Sequence, residues 1–568
     1  ELAELMLIHG LHTESMIHKL IVYAKLKFDF KSAIQLGELQ ENMNLFIKNR
    51  NMTLEKAMSY GTKEIENIGE ENFTNNLMEL ITIKSNAIAS ASFIVNKYKS
   101  GNDKDNLIEL LEKSLYLDND QSIRKAQAFI AIDKAEKAVK ILENLIEKEK
   151  QVPTLICTYT QALSFSGELE KAIKHIERVL IQYPDRSIYH EAIRLFILNS
   201  SYDKCLNILE LAAKNNIEIG EMHRRKTYFG NRMPGKALET FKEIPIKKVI
   251  LTKYYSDKYI YDPSKITKKE KVILLSVYGP GDEIRFASIY SRVIDIFKAK
   301  KIFITCSQKL YNIFVRSFPN ITFVSTARIR ASDEIDTNNY NKIKGSDLIQ
   351  LIDNNAHKYI EKSDKLMIVT DLLGDTIKDY SDFDGESYFV DDKEKTSFFK
   401  TLLPKKTTLV GLSWRSSITT HSRTEHYLTI DELAPLLELD NVTFVNFQYD
   451  ECANDLAWIE ENYPGKMIDI EEIDHFDDLD SVASLMKCMD LIITPATTVV
   501  ELSGALGCPT WLFSNSSELD WRIIDDKGTD VWHSSIKIVE GDEVGDKKSL
   551  VINLRDKLKS FLEDKNVK

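Results

Sequence analysis

Cysteine is sparse in this chain. The six residues Cys157, Cys205, Cys306, Cys452, Cys488 and Cys508 are scattered through 568 positions with no close pair. That pattern argues against a zinc cluster or a disulfide framework and sets the expectation of a reducing, cytoplasmic setting. No apolar run reaches the roughly 18 residues a membrane span needs, so none is expected. The opening Glu1-Leu-Ala-Glu has no signal-peptide pattern. Positive charge is in deficit, with 75 Lys and Arg against 87 Asp and Glu for a net charge of −12. Non-specific nucleic-acid binding through phosphate neutralisation is therefore not expected as a main activity. The hydrophobic content of 43% is that of an ordinary folded protein, and the length suits roughly three or four domains.

The first half reads as helical. Residues 1–115 carry helix-like spacing, as in Met16, Leu20, Tyr23 and Leu26. His9, His12 and His18 are best explained as a helix-surface cluster rather than a metal site. Over 116–248 the pattern repeats. Glu136-Lys137-Ala138 is echoed by Glu170-Lys171-Ala172, then by Asp203-Lys204-Cys205 and Gly235-Lys236-Ala237. The first two alanines are 34 positions apart (172 − 138), which is the tetratricopeptide period. The small residue lets paired helices approach, and Tyr183-Pro184 suits the end of a unit. Stacked pairs form a concave surface suited to polypeptides, or else support the next domain or a dimer.

The second half alternates strands and helices, as a doubly wound α/β fold does. One domain is expected over 270–400, with strands at Lys271–Val277, Ile302–Thr305 and Thr322–Val324 and helices at Ile284–Ala299 and Gln308–Phe318. Residues 326–390 look less regular. A second domain is expected over 405–568. Its strands are Thr408–Trp414, Val442–Phe447 and Met467–Ile470, and its helices Ile430–Leu437, Asp455–Glu461, Leu479–Met489 and Leu550–Glu563. Within it, Leu491-Ile-Ile-Thr494 reads as a buried strand, Pro495 as a turn, Thr497 or Thr498 as the cap of a helix that Gly507 and Pro509 stop, and Thr510–Phe513 as the start of the next strand. Glu501 stands where a capping box would place it. Free N–H groups and hydroxyls at such a helix start suit an anionic group such as a diphosphate. The loops at 278–283, 414–417, 447–449 and 494–501 all follow strands, and two such domains usually bind ligands between them.

Residues 272–560 resemble GT-B glycosyltransferases, both the heptosyltransferase-like and the O-GlcNAc-transferase-like kinds. Gly281-Asp282 after the first strand resembles the heptosyltransferase Gly-Asp motif. Asp490-Leu-Ile-Ile-Thr-Pro-Ala-Thr-Thr, continuing to Gly504-Ala-Leu-Gly-Cys-Pro-Thr, resembles that family's donor-binding strand and helix. Glu501 departs from the histidine usual there, which argues against an ADP-heptose donor. With helical repeats in front, the chain is most similar to tetratricopeptide-containing flagellin glycosyltransferases, which attach nonulosonic acids to protein.

The resemblance implies an inverting, metal-independent glycosyltransferase whose repeats present a Ser or Thr hydroxyl of a protein such as flagellin. The donor would be a CMP-nonulosonic acid or a UDP- or GDP-sugar, with no further cofactor. Asp282 is the expected base, with Glu283 in reserve. Arg415 is expected to hold leaving-group phosphate with Ser416 and Ser417, and Thr497 and Thr498 to hold phosphate at the helix start. Phe447, Gln448 and Tyr449 would stack and read the base, and Glu501 would accept a ribose hydroxyl. His421 and His426 follow the Arg415 loop. Asp382-Phe-Asp384 and Asp478-Leu-Asp480 match an Asp-x-Asp pattern, expected by chance in so acidic a chain. Two rivals stay open: a glycan or lipid-linked acceptor with the helices serving assembly, a homo-oligomer among the partners this allows, and a non-catalytic repeat adaptor with a degenerate nucleotide module.

Overall fold

The computed structural model describes residues 119–131, 134–148, 152–243, 245–297, 299–327, 337–345, 348–349, 351–416, 426–515, 517–543 and 545–566. The helical reading of 1–115, its three histidines, Ser417 and His421 lie outside the described residues. The chain divides into two compact units. One runs through Leu195 and takes in Leu211–Glu218; the other holds Phe196–Glu210, Ile219–Lys344 and everything from Leu348.

In the first unit, helices α1 (Asn119–Ala131), α2 (Ala135–Lys148), α3 (Pro153–Phe165) and α4 (Leu169–Val179) pack successively on one another. Pro153 opens α3, where its missing N–H costs nothing. Next in sequence come α5 (Arg186–Leu198) and α6 (Tyr202–Lys214), each divided between the units, and α7 (Glu221–Gly230) and α8 (Pro234–Glu239), both in the second unit. Ala138, Ala172, Cys205 and Ala237, the small residues of the repeat, are all fully buried. Each sits where a larger side chain would push paired helices apart.

The second unit contains two parallel sheets. Strands β1 (Lys271–Leu275), β2 (Lys301–Ser307), β3 (Thr322–Thr326) and β4 (Lys365–Ile368) form the first, in the order β3-β2-β1-β4. Strands β5 (Thr408–Leu412), β6 (Val442–Asn446), β7 (Met467–Ile468), β8 (Leu491–Thr494), β9 (Thr510–Ser514) and β10 (Ile536–Glu540) form the second, in the order β10-β9-β8-β5-β6-β7. Their central strands are apolar runs buried on both faces, as all-parallel pairing with helical crossovers demands. The winding direction reverses between β1 and β4 in one sheet and between β5 and β8 in the other. Adjacent connections diverge at these points and leave a crevice at the carboxyl ends of the strands.

The α/β alternation is where the residue pattern placed it, with local differences. Strands β4 and β10 add to those expected. The helix expected over Ile284–Ala299 is broken into α9 (Pro280–Phe286), a 3₁₀ turn at Ala287–Ile289 and a helix at Tyr290–Ile296. The helix expected over Ile430–Leu437 shrinks to Ala434–Leu437. Pro435 near its start explains this, because in a longer helix its ring would strike the carbonyl of residue 431.

The helical segments that belong to the second unit are built into its α/β body. Phe229 of α7 stacks on Trp521 at a centroid distance of 3.7 Å. The Tyr202 hydroxyl donates to Asp520 at 2.8 Å and to the Ser517 carbonyl at 2.6 Å. A Cβ on Gly235 would stand 2.6 Å from the Lys378 carbonyl oxygen, and one on Gly374 would stand 2.8 Å from the Glu239 nitrogen. The backbones meet there with no room for side chains.

Candidate functional site

The two reversal points meet. Helix α9 begins just after β1, and α11 (Thr498–Ala505) just after β8; the two helices pack together. A Cβ added at Gly281 would lie 3.3 Å from the Thr498 hydroxyl oxygen. The Gly-Asp turn of the first sheet therefore abuts the helix start of the second. On the second sheet's side, the Ser413 N–H donates to the Ile493 carbonyl at 3.0 Å, joining the β5 and β8 ends. The Tyr449 hydroxyl donates to Ser416 Oγ at 3.0 Å, joining the β5 and β6 ends. On the first sheet's side, Lys309 after β2 lies 3.3 Å over the Phe476 ring and donates to the Phe476 carbonyl at 2.8 Å. Turns near 282, 415, 448 and 497 thus border one crevice. The architecture is two doubly wound parallel α/β sheets whose helices α9 and α11 meet.

Thr497 is the helix cap. Its extended backbone (φ −129°, ψ −175°) lets the hydroxyl accept from the Val499 N–H at 3.3 Å. Thr498 begins the helix and faces Gly281. Asp282 lies in the first turn of α9 with its side chain 41% exposed, 3.6 Å from Arg285 Nη1. That position leaves the carboxylate part-exposed beside the start of α11.

Several expected site residues are occupied otherwise. Arg415 is not free for phosphate: Nε donates to Asp450 at 3.0 Å, Nη1 to Asp455, and Nη2 to the Glu451 carbonyl at 2.9 Å. Burial pulls its pKa down, but the two aspartates more than offset that and keep it charged. Gln448 is almost fully buried and works as a staple. Its Oε1 accepts from the Trp414 N–H at 2.9 Å and the Arg415 N–H at 3.2 Å, and its Nε2 donates to the Arg415 carbonyl at 2.9 Å and to Asp450 at 2.8 Å. Phe447 is 1% exposed, and a Cβ on Gly411 would touch its ring at 2.6 Å. It is core, not a stacking surface. Tyr449 is half-buried beside the partly exposed Phe476, ring centroids 6.4 Å apart. Glu283 is buried and accepts from the Ser307 N–H at 2.9 Å, fastening α9 to the end of β2. That leaves it poorly placed to act as a base.

Glu501 neither completes a capping box nor reaches toward a ribose. It is 1% exposed and accepts from Arg285 Nη2 at 2.5 Å and Arg522 Nη1 at 3.1 Å. Arg522 grips Asp530 through two parallel bonds of 2.6 and 2.8 Å. His533 Nε2 lies 3.4 Å from the second Glu501 oxygen. Burial alone would raise the Glu501 pKa, but Arg285 and Arg522 win and hold it well below the ordinary carboxylate range. A Cβ on Gly504 would lie 2.4 Å from His533 Cγ, so only glycine lets α11 and that ring coexist. Arg285 belongs to the first sheet's helix and Glu501 to the second's, so this buried network ties α9 to α11. Sequence reasoning passed over Arg285, Arg522, Asp530 and His533. No local spacing marks them, because their partners lie 216 and 21 positions from Arg285 and Arg522.

The Asp-x-Asp triplets are also engaged. Asp382 accepts from the Lys378 and Asp379 N–H groups, and Asp384 pairs with Arg292. Asp478 caps helix α10 (Leu479–Met486), and Asp480 pairs with Arg316 and Lys395. Among the described residues no group of His, Cys, Asp or Glu is arranged to hold a metal ion. No helix among them is long and apolar enough to cross a membrane. His426 is half-buried in a turn. A separate cavity of about 330 Å³, lined by Arg292, Asp384, Tyr388 and Trp532 among others, lies away from the crevice.

No protein-family model matches the sequence. The chain is similar to Protein FlbA of Caulobacter vibrioides, 23% identical over 285 residues, covering 49% of this chain and 44% of that protein. The match thus spans less than half of that relative's length. Among solved structures it is similar to the glycosyl transferase family 9 protein of Veillonella parvula, at 14% identity, covering 52% of this chain and 98% of that one with a TM-score of 0.38. It is also similar to the E. coli ADP-heptose lipopolysaccharide heptosyltransferase II, at 12% identity, 52% and 99% coverage and a TM-score of 0.35. The Thermobaculum terrenum O-GlcNAc transferase aligns at 9% identity over 85% of this chain and 94% of its own, with a TM-score of 0.23.

Proposed function

We propose that this protein is an inverting, metal-independent glycosyltransferase that moves a sugar from a nucleotide donor to a Ser or Thr hydroxyl of a protein. The observation that carries the reading is the contact of Gly281 with Thr498. It puts a part-exposed carboxylate, Asp282, beside the capped start of α11. In the reaction Asp282 takes the proton of the acceptor hydroxyl. The hydroxyl oxygen attacks the anomeric carbon, and the bond to phosphate breaks with its electron pair leaving on the phosphate oxygen. The N–H groups and hydroxyls of 497–499 stabilise that charge. Tyr449 and Phe476 offer ring faces for the base. Reading the acceptor as a protein, flagellin for instance, rests on the helical repeats ahead of the α/β body and on the sequence resemblance to flagellin glycosyltransferases. The test is to incubate the protein with CMP-, UDP- and GDP-sugars and flagellin and to weigh flagellin intact. An added sugar mass supports the reading. Nucleotide binding with no transfer to any acceptor refutes it in favour of an adaptor.

A further inference from the structure

We propose that Arg225, in the helical array, is an anion-binding residue of the crevice and takes an oxyanion of the bound donor, a phosphate or a sugar carboxylate. The inference rests on the reading above and names a residue that reading did not contain. Arg225 lies in α7, inside the second compact unit. Its guanidinium sits 3.6 Å over the Phe241 ring, and its Nε donates to Thr240 Oγ1 at 3.0 Å. Its Nη2 is buried and has no partner among the described residues. Phe241 meets Tyr278 edge-on with centroids 5.7 Å apart, and Tyr278 opens the turn that carries Gly281 and Asp282. The guanidinium is therefore one ring away from the candidate catalytic turn.

The electrostatics agree. Burial draws the Arg225 pKa below the ordinary arginine value, and the charges of Tyr278, Glu221 and Asp282 do not restore it. Arg415 and Arg285, two other guanidinium groups beside these turns among the described residues, are each tied to carboxylates. Arg225 is instead a desolvated cation held flat by an aromatic ring, with one arm of its fork unfilled. Such a group disfavours the empty protein and is completed by an incoming oxyanion. Arg415 was the guanidinium expected to meet phosphate; with Arg415 occupied, Arg225 offers the same chemistry from the other side.

The test is calorimetric titration of the full chain with CMP, UDP, GDP and inorganic phosphate as phosphate probes and N-acetylneuraminate as the carboxylate probe. Wild type, Arg225→Lys and Arg225→Gln are compared, each with its unliganded melting curve. At least one probe bound by wild type should weaken about tenfold or more in Arg225→Gln and less in Arg225→Lys. The unliganded Arg225→Gln protein should melt at or above wild type, since a desolvated charge has gone. The probe that weakens identifies the source of the oxyanion. If Arg225→Gln does not fold, Arg225→Lys decides, because losing the fork still weakens binding at least severalfold. Affinities that ignore both substitutions overturn the inference and leave the proposed function standing. Wild type that binds none of the probes overturns both.

Discussion

Glu501→Gln isolates the buried charge network between α9 and α11. The substitution keeps the side chain's shape and removes its charge. Arg522, 2% exposed, would keep Asp530 but lose its second counter-charge, and Arg285 would lose its principal one. Breaking a buried pair by removing one partner costs about 3–5 kcal/mol, because the remaining charge is stranded. For a unit of this size, that lowers the melting midpoint by about 6–10 °C at pH 7. The pH dependence has a defined sign. The folded pKa of Glu501 lies well below its ordinary value of 4.5. Its contribution is therefore complete above the ordinary carboxylate range and is lost as pH falls through the folded value. The gap between wild type and variant should be constant from pH 6 to pH 8 and narrow only in strong acid. Scanning calorimetry across that range measures it. A variant that melts within about 1 °C of wild type at pH 7 would refute the claim that these charges depend on one another.

Other outcomes follow from the same geometry. Asp282→Asn should abolish transfer while leaving nucleotide affinity nearly intact; loss of both together would remove Asp282 as base. Arg415→Ala should lower the melting midpoint rather than nucleotide affinity, since its partners are Asp450, Asp455 and the Glu451 carbonyl; a titration showing weaker binding with an unchanged melt would contradict this. Gly504→Ala forces a methyl into the His533 ring and should cost about 1–3 kcal/mol by urea denaturation. Burial pushes the Cys508 and Cys205 thiols up to about 12, so both should resist thiol reagents in the folded protein and react on unfolding.

Much of the architecture was legible in the residues. Continuous apolar runs such as Leu491-Ile-Ile give buried parallel strands, and the small residues at 138, 172, 205 and 237 mark helix contacts because packing density enforces them. Thr497 was recognisable as a cap because capping is local. Roles decided by partners far along the chain were not legible. Arg415 looks like a phosphate ligand until Asp455, 40 positions away, claims it. Glu501 matches a capping box by spacing, but Arg285, 216 positions away, turns it inward. Phe447 ends its strand as a base-stacking residue would, but the absence of a side chain at Gly411 draws its ring into the core. Nothing in its local sequence marks Arg225, and only the packing of Phe241 against Tyr278 shows where it stands.

The central claim is that the crevice where Gly281 meets Thr498 holds the nucleotide of a sugar donor. Crystals grown with CMP, UDP and GDP in turn test it most directly. The account predicts phosphate oxygens against the N–H groups of residues 497–499 and the base on Tyr449 and Phe476. A nucleotide seated instead in the cavity beside Arg292 and Trp532, with the crevice empty, would contradict it.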